Sequence, residues 1–165
     1  KEICMNKIEF RDMNVTDLKF LAVLLSTESI TSSLHTKPVS YNELIYVYEK
    51  YWINDEDEKH FIICRNNQRV GWIKVNGLNG KNKAWISMLV IDTGYQNKGI
   101  GTAAVKFAEN YIENNGFISV GIQTTADNTK AVSLYRKCGY KIIGNNPFNA
   151  ENGCKYDACI FEKHL

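Results

Sequence analysis

The sequence predicts a mixed α/β fold, and three observations predict it. Three strand-like stretches follow one another as a meander between His60 and Ile91. After them, helical and strand patterns alternate to the end of the chain. Before them, two short helical patterns follow a first strand. At 165 residues, with 44% hydrophobic and 23% charged residues, the chain fits one domain, residues 1–165. That length buries a core without metal or disulfide staples.

Ile8 to Arg11 reads as a short strand. Thr16 or Asp17 can cap a helix that carries Leu18, Leu21, Ala22 and Leu25 at helical spacing. Ser26 to Pro38 is polar and reads as a loop. Ser40-Tyr41-Asn42-Glu43 has the form of a capping box and opens a helix with Leu44, Ile45, Val47, Tyr48 and Tyr51. The acidic run Asp55 to Glu58 ends that pattern.

His60 to Arg65 and Arg69 to Val75 flank the turn signal Asn66-Asn67, so they should form a hairpin. Ala84 to Ile91 is nearly all apolar after Ser87 and should lie at the centre of the sheet. Thr102 to Tyr111 reads as a helix stopped by Asn114-Asn115-Gly116. Ile118 to Gln123 is a strand. Asp127 or Asn128 caps a last helix, with Ala131, Leu134 and Tyr135 on one face, that ends at Gly139. Tyr140 to Ile143 and Lys155 to Glu162 close the sheet.

Composition narrows the function classes. A net charge of +2 gives no nucleic-acid patch and no polybasic membrane anchor. Cys4, Cys64, Cys138, Cys154 and Cys159 are odd in number and lack C-x-x-C spacing, which favours reduced thiols over disulfides or zinc. The apolar run Phe20 to Leu25 is too short to span a bilayer, and a cytoplasmic protein is expected. Lys1 opens the chain, and Met5 is a candidate natural start.

The segment Gln96-Asn97-Lys98-Gly99-Ile100-Gly101-Thr102 lies between an apolar strand and a helix. A helix start leaves N–H groups unpaired, and its dipole favours anions. Two glycines allow a tight turn and the close approach of a phosphate. Lys98 adds charge, and Gln96 and Thr102 add donors. The expected ligand is a di-anion such as a pyrophosphate; an ordinary tight turn is the plain alternative.

Leu89 to Gly101 resembles the cofactor motif of the GNAT superfamily of N-acetyltransferases, with a core of the form Q/R-x-x-G-x-G/A. Asn128 to Tyr140 is similar to the family's later N-x-x-A-x-x-L-Y-x-x-x-G-F/Y motif. Tyr156-Asp157-Ala158 with Glu162-Lys163 is similar to its last strand. The resemblance covers about Trp72 to Leu165; the first third matches only in element order.

The resemblance implies a GNAT-like fold: a central mixed, mostly antiparallel sheet flanked by about four helices. It implies acetyl-CoA as co-substrate, seated by its pyrophosphate on Gln96, Asn97, Lys98, Gly99, Ile100, Gly101 and Thr102. It implies that Leu89, Val90 and Ile91 pair with the pantetheine arm on a strand that splays from its neighbour, and that an N–H there polarises the thioester carbonyl. Asn128 matches the asparagine that contacts the arm, and also suits a helix N-cap. Tyr135 matches the general acid that protonates the leaving thiolate; its plain alternative is a core aromatic. Seven residues, two helical turns, separate Asn128 from Tyr135, so both can face the cofactor. No metal is implied. The partner is a primary amine, of a small molecule such as an aminoglycoside or polyamine or of a peptide, and a homodimer is plausible by resemblance.

The pattern departs at one place. Many family members carry a glutamate on the strand before the glycine turn, whereas this strand reads Trp85-Ile86-Ser87-Met88-Leu89. A water chain, Glu28, Glu43 or His60 could take the amine's proton, and none is assigned. The density of Tyr41, Tyr46, Tyr48, Tyr51 and Trp52 could line an acceptor pocket or be core. The run Asp55 to Glu58 could attract a polycation or be a solvated loop.

Gly99-Ile100-Gly101-Thr102-Ala103-Ala104 also fits G-x-G-x-x-A of dinucleotide-binding oxidoreductases. The next strand ends in Gln123-Thr124-Thr125, with no acid for a ribose, and no G-K-[ST] of a P-loop is present. A CoA-binding module without turnover is the other alternative.

Overall fold

A computed structural model describes residues 6–165, so the expectations for Cys4 and Met5 lie outside it. In chain order the elements are β1 (Ile8–Asp12), α1 (Leu18–Leu24), α2 (Glu28–Leu34), α3 (Tyr41–Val47), β2 (Glu58–Arg65), β3 (Gln68–Asn76) and β4 (Lys83–Ile91). Then come α4 (Ile100–Asn114), β5 (Ser119–Thr125), α5 (Thr129–Lys137), β6 (Lys141–Asn149) and β7 (Lys155–His164). The seven strands form one sheet in the order β1-β2-β3-β4-β5-β7-β6. Only β4 and β5 run parallel; every other neighbouring pair is antiparallel. The expected mixed, mostly antiparallel sheet is therefore present, with β4 at its centre.

Strand alternation sends side chains to two cores. On one face, Ile63, Ile73 and Phe161 meet Val105 and Ile112 of α4 and Tyr135 of α5. On the other, Ile62, Trp72 and Val90 meet Leu21 of α1, Ile30 of α2 and Leu44 of α3. The sheet thus separates a layer of α1 to α3 from a layer of α4 and α5.

Several boundaries differ from the sequence reading. Ser26 to Pro38, read as a loop, contains α2, so the described residues hold five α-helices where about four were expected. Its sequence, Glu-Ser-Ile-Thr-Ser-Ser-Leu, is rich in weak helix formers, and burial of Ile30 supplies what propensity does not. Asp17, one of the two caps read, stands at the N-cap of α1 without a side-chain cap bond there, and instead closes a capping box with Asn14, which caps the preceding turn. Strand β6, read as ending at Ile143, runs on to Asn149 through Pro147. An edge strand tolerates proline, which has no N–H, because half of its backbone positions face away from the ladder. The box at Ser40 and Glu43 opens α3 as read.

What matters for the site is how β4 and β5 part. They pair only from Lys83–Ser119 to Ile86–Ile122. Ser87 is the extra residue of a bulge in β4, where the register against β3 shifts. Beyond it Met88 to Ile91 stay paired to β3, while β5 beyond Ile122 stays paired to β7. The two central strands therefore leave each other's ladder halfway along.

Candidate active site

A cleft of about 990 Å³ lies at the open end of this divergence. That is the upper end of the range for small-molecule sites. Its walls come from both layers: α2 with Ser29, Leu34 and His35 on one side, and α5 with Asn128, Leu134 and Tyr135 on the other. Leu89, Val90 and Ile91 form its floor, and Gln96, Asn97, Gly99, Gly101 and Thr102 form its end. The cleft therefore passes through the sheet.

The glycine turn leaves its backbone donors free. Asn97 and Gly99 adopt left-handed backbone (φ 58° and 79°), which curls the chain before α4 begins at Ile100. The first helical donor to find an acceptor is the N–H of Ala103, which bonds Gly99 O. Among the described residues, the N–H groups of Asn97, Lys98, Gly99, Ile100, Gly101 and Thr102 have no protein acceptor, and no side chain caps the helix. Unpaired donors at a helix start are what a phosphate needs. Side chains behave less uniformly. Gln96 turns back to donate from Nε2 to Ile91 O at 2.9 Å, so it closes the end of β4. Lys98 lies over the Tyr95 ring, 5.7 Å away, and is not on the cleft wall. Ile100 is buried, so only its backbone can serve a ligand. A Cβ on Gly101 would stand 3.0 Å from Leu134 Cδ2, so this glycine also lets α4 and α5 pack closely.

Asn128 caps α5, accepting from Ala131 N at 3.3 Å, and its side chain lines the cleft. Tyr135 faces the same cleft from within the core. Its ring packs edge-on to Phe161 at 5.7 Å and tilted to Tyr140 at 6.2 Å. Burial pushes its hydroxyl up to about 12, so it holds its proton across neutral pH, as an acid must before it donates. Tyr135 is thus a core aromatic that also lines the cleft.

The candidate bases fare differently. Glu43 is locked in the capping box, where the Ser40 backbone and hydroxyl hold its carboxyl below its usual range. Neither Glu28 nor Glu43 is on the cleft wall. His60 is buried among Trp52 and Trp72; its Nε2 donates to Glu58 and its Nδ1 accepts from Trp72 Nε1. Burial lowers its pKa, partly offset by Glu58. With both nitrogens engaged it is a satisfied core histidine. In the acidic run, Asp57 accepts from the N–H groups of Gly77 and Asn79, and Glu58 pairs with Lys74 at 2.9 Å. Asp57 therefore holds the β3–β4 turn, and Glu58 braces β2 against β3. Tyr41, Tyr48 and Trp52 pack on the α1–α3 core, whereas Tyr46 and Tyr51 are exposed.

One pair on the wall was not found from sequence. His35 Nε2 donates to both oxygens of Asp127, at 2.9 and 3.1 Å, and its ring stacks on Tyr156 at 3.6 Å. Ninety-two residues separate the two partners, and no local pattern links them.

A sequence profile of the acetyltransferase (GNAT) family matches residues 27–140. The spermidine N(1)-acetyltransferase of Escherichia coli strain K12 is 25% identical over 145 residues, covering 84% of this chain and 75% of that protein. A streptothricin acetyltransferase of Escherichia coli is 26% identical over 105 residues, 61% of this chain and 60% of that one. The fold is similar to the crystal structure of spermidine N-acetyltransferase from Vibrio cholerae in complex with CoA and spermine. The TM-score is 0.84, at 23% identity over 95% of each chain.

Proposed function

Since the chain belongs to the GNAT family of acetyltransferases and is an acetyl-CoA-dependent N-acetyltransferase, we propose that its acceptor is the primary amine of an aliphatic polyamine. Two supports carry the choice of amine. Spermidine acetyltransferases are among its relatives in both sequence and fold. The cleft also has a wall from the α1–α3 layer, with Ser29, Leu34 and His35, apart from the residues of the glycine turn, which leaves room for an acceptor beside the cofactor.

The observation that carries the mechanism is the run of unpaired N–H groups at the head of a cleft that ends at Tyr135. In this reading residues 1–165 act as one domain. The N–H groups from Asn97 to Thr102 hold the pyrophosphate. The unladdered side of Leu89 to Ile91 lies alongside the pantetheine, and an N–H there polarises the thioester carbonyl. Asn128 contacts the arm while it caps α5. The neutral amine attacks the carbonyl carbon directly, and a C–N bond forms. As the C–S bond breaks, Tyr135 gives its proton to the departing sulfur, CoA leaves as a thiol, and the proton shed by the acylated nitrogen returns through water to the Tyr135 phenolate.

The test is thiol release with acetyl-CoA and spermidine. Tyr135→Phe should lower kcat by about 10²-fold or more and leave acetyl-CoA affinity unchanged. Full activity in that variant removes Tyr135 from the mechanism. No turnover on spermidine, with turnover on another amine, removes the polyamine.

A further inference from the structure

The amine must lose a proton, and the mechanism above names no group that takes it. An alkylamine with a pKa of about 10 is neutral in only about one molecule in a thousand at pH 7. The five ionisable groups on the cleft wall are His35, Asp127, Lys130, Tyr135 and Lys137. Tyr135 is the acid and two of the others are lysines. That leaves a single pair, and the pair is already joined.

We propose that His35, oriented by Asp127, is the general base that accepts the proton of the acceptor amine. The inference rests on the acetyltransferase reading of this cleft. A carboxylate can only accept, so the shared proton sits on Nε2. The neutral ring then keeps its lone pair at Nδ1, which has no partner among the described residues. Tyr156 fixes the ring plane by stacking at 3.6 Å. A group held at one nitrogen by a carboxylate and open at the other has the arrangement a base requires.

Position agrees with this role. His35 terminates α2, on the acceptor-facing layer, whereas Asp127 and Tyr135 belong to the other side of the cleft. The ring lines the cleft and also a neighbouring recess of about 170 Å³ beside Lys37 and Asn152. A proton taken from the amine in the cleft can therefore leave to water through the recess. The backbone of His35 is left-handed (φ 54°), an unusual state for a side-chain-bearing residue. The segment is held in place where Glu151 accepts from the Lys37 N–H at 2.8 Å. The titratable groups against the imidazole are Asp127 and Tyr156; Lys37 lines the recess beside it, and Glu151 is bonded to the Lys37 backbone. The hydrogen bond from His35 holds the carboxyl of Asp127 below its usual range, so Asp127 stays an acceptor.

The step balances. One N–H bond of the ammonium breaks, its proton moves to Nδ1, and Asp127 stabilises the imidazolium. The freed electron pair forms the C–N bond, Nδ1 returns its proton to water, and the second proton lost by the acylated nitrogen restores the Tyr135 hydroxyl. His35→Asn tests this, since asparagine tolerates left-handed backbone. With an amine that the unaltered protein acetylates, His35→Asn should lower kcat at pH 7 by about 10²-fold. The KM for acetyl-CoA should change less than twofold. The deficit should shrink steadily towards pH 10, where the amine deprotonates unaided. Asp127→Asn should lie between the two. A deficit equal at all pH values, one confined to KM, or none at all would overturn the proposal. Tyr135→Phe run alongside separates the two claims: its loss should persist at high pH, and its full activity would remove the acid without touching the base.

Discussion

Asp17 shows how a single side chain can tie the start of the chain to the sheet. It is wholly buried, yet three partners keep it ionised. Arg11 donates to it twice, at 2.7 and 2.8 Å, and Arg69 donates once at 2.7 Å. The N–H of Asn14 completes the set. Burial pushes the carboxyl up, but these donors outweigh it and bring it from 3.8 to about 2. A carboxyl lowered on folding stabilises the fold above its unfolded pKa, and the gain is lost as pH falls through the folded value. Asp17 should therefore contribute up to about 2 kcal/mol above pH 5, vanishing towards pH 2. Urea unfolding between pH 6 and pH 2.5 measures it. Asp17→Asn should flatten that dependence and cost about 3 kcal/mol at neutral pH. The sequence offers Asp17 only as a helix cap. Its arginine on β3 lies 52 residues away, beyond the reach of a local pattern.

At the scale of elements, legibility follows the strength of the local signal. The glycine turn, α4 and α5 could be read because spacing, caps and motif agree there. Helix α2 could not, because Ser and Thr fill it and only its packing on the second core makes it a helix. The missed helix also hid half of the His35–Asp127 pair. A second long-range pair acts on α5. Lys163 of β7 donates to buried Glu109 of α4 at 2.9 Å and to Cys138 O, at the end of α5, at 2.8 Å. One ammonium thus joins three elements next to the turn that carries Tyr135. Lys163→Met leaves buried Glu109 with only Lys106, 3.8 Å away, and should cost about 3 kcal/mol. Adding Glu109→Leu removes the stranded charge and should restore most of that stability, while Cys138 O still lacks its donor. Thermal unfolding of the single and double variants checks the first part. If the tie positions Tyr135, the double variant should still lose kcat with KM for acetyl-CoA unchanged; full kcat would make the tie purely structural.

For the molecule as a whole, the decisive feature is that β4 and β5 part company while each keeps its other neighbour. The layer of α1 to α3 and the layer of α4 and α5 meet across the gap through few direct ties. Ser29 and Thr93 share a hydrogen bond at 2.9 Å, and His35 reaches Asp127. No helix among the described residues is long and apolar enough to cross a membrane. A ligand that runs from the turn before α4, past Leu89 to Ile91, to Tyr135 touches both layers and fills the place of the missing ladder. Acetyl-CoA at a hundred times its Kd should stabilise the fold by about 2.7 kcal/mol. It should also slow hydrogen exchange in α2 and α5 together, although they lie on opposite faces of the sheet. Exchange measured with CoA, acetyl-CoA and a nicotinamide dinucleotide separates the possibilities. Protection of both helices by the two thioester-related ligands alone means that one molecule spans the divergence. Protection limited to the head of α4 means that the phosphates bind while the rest of the cleft is left to the acceptor, and it would refute the placement of the pantetheine along β4.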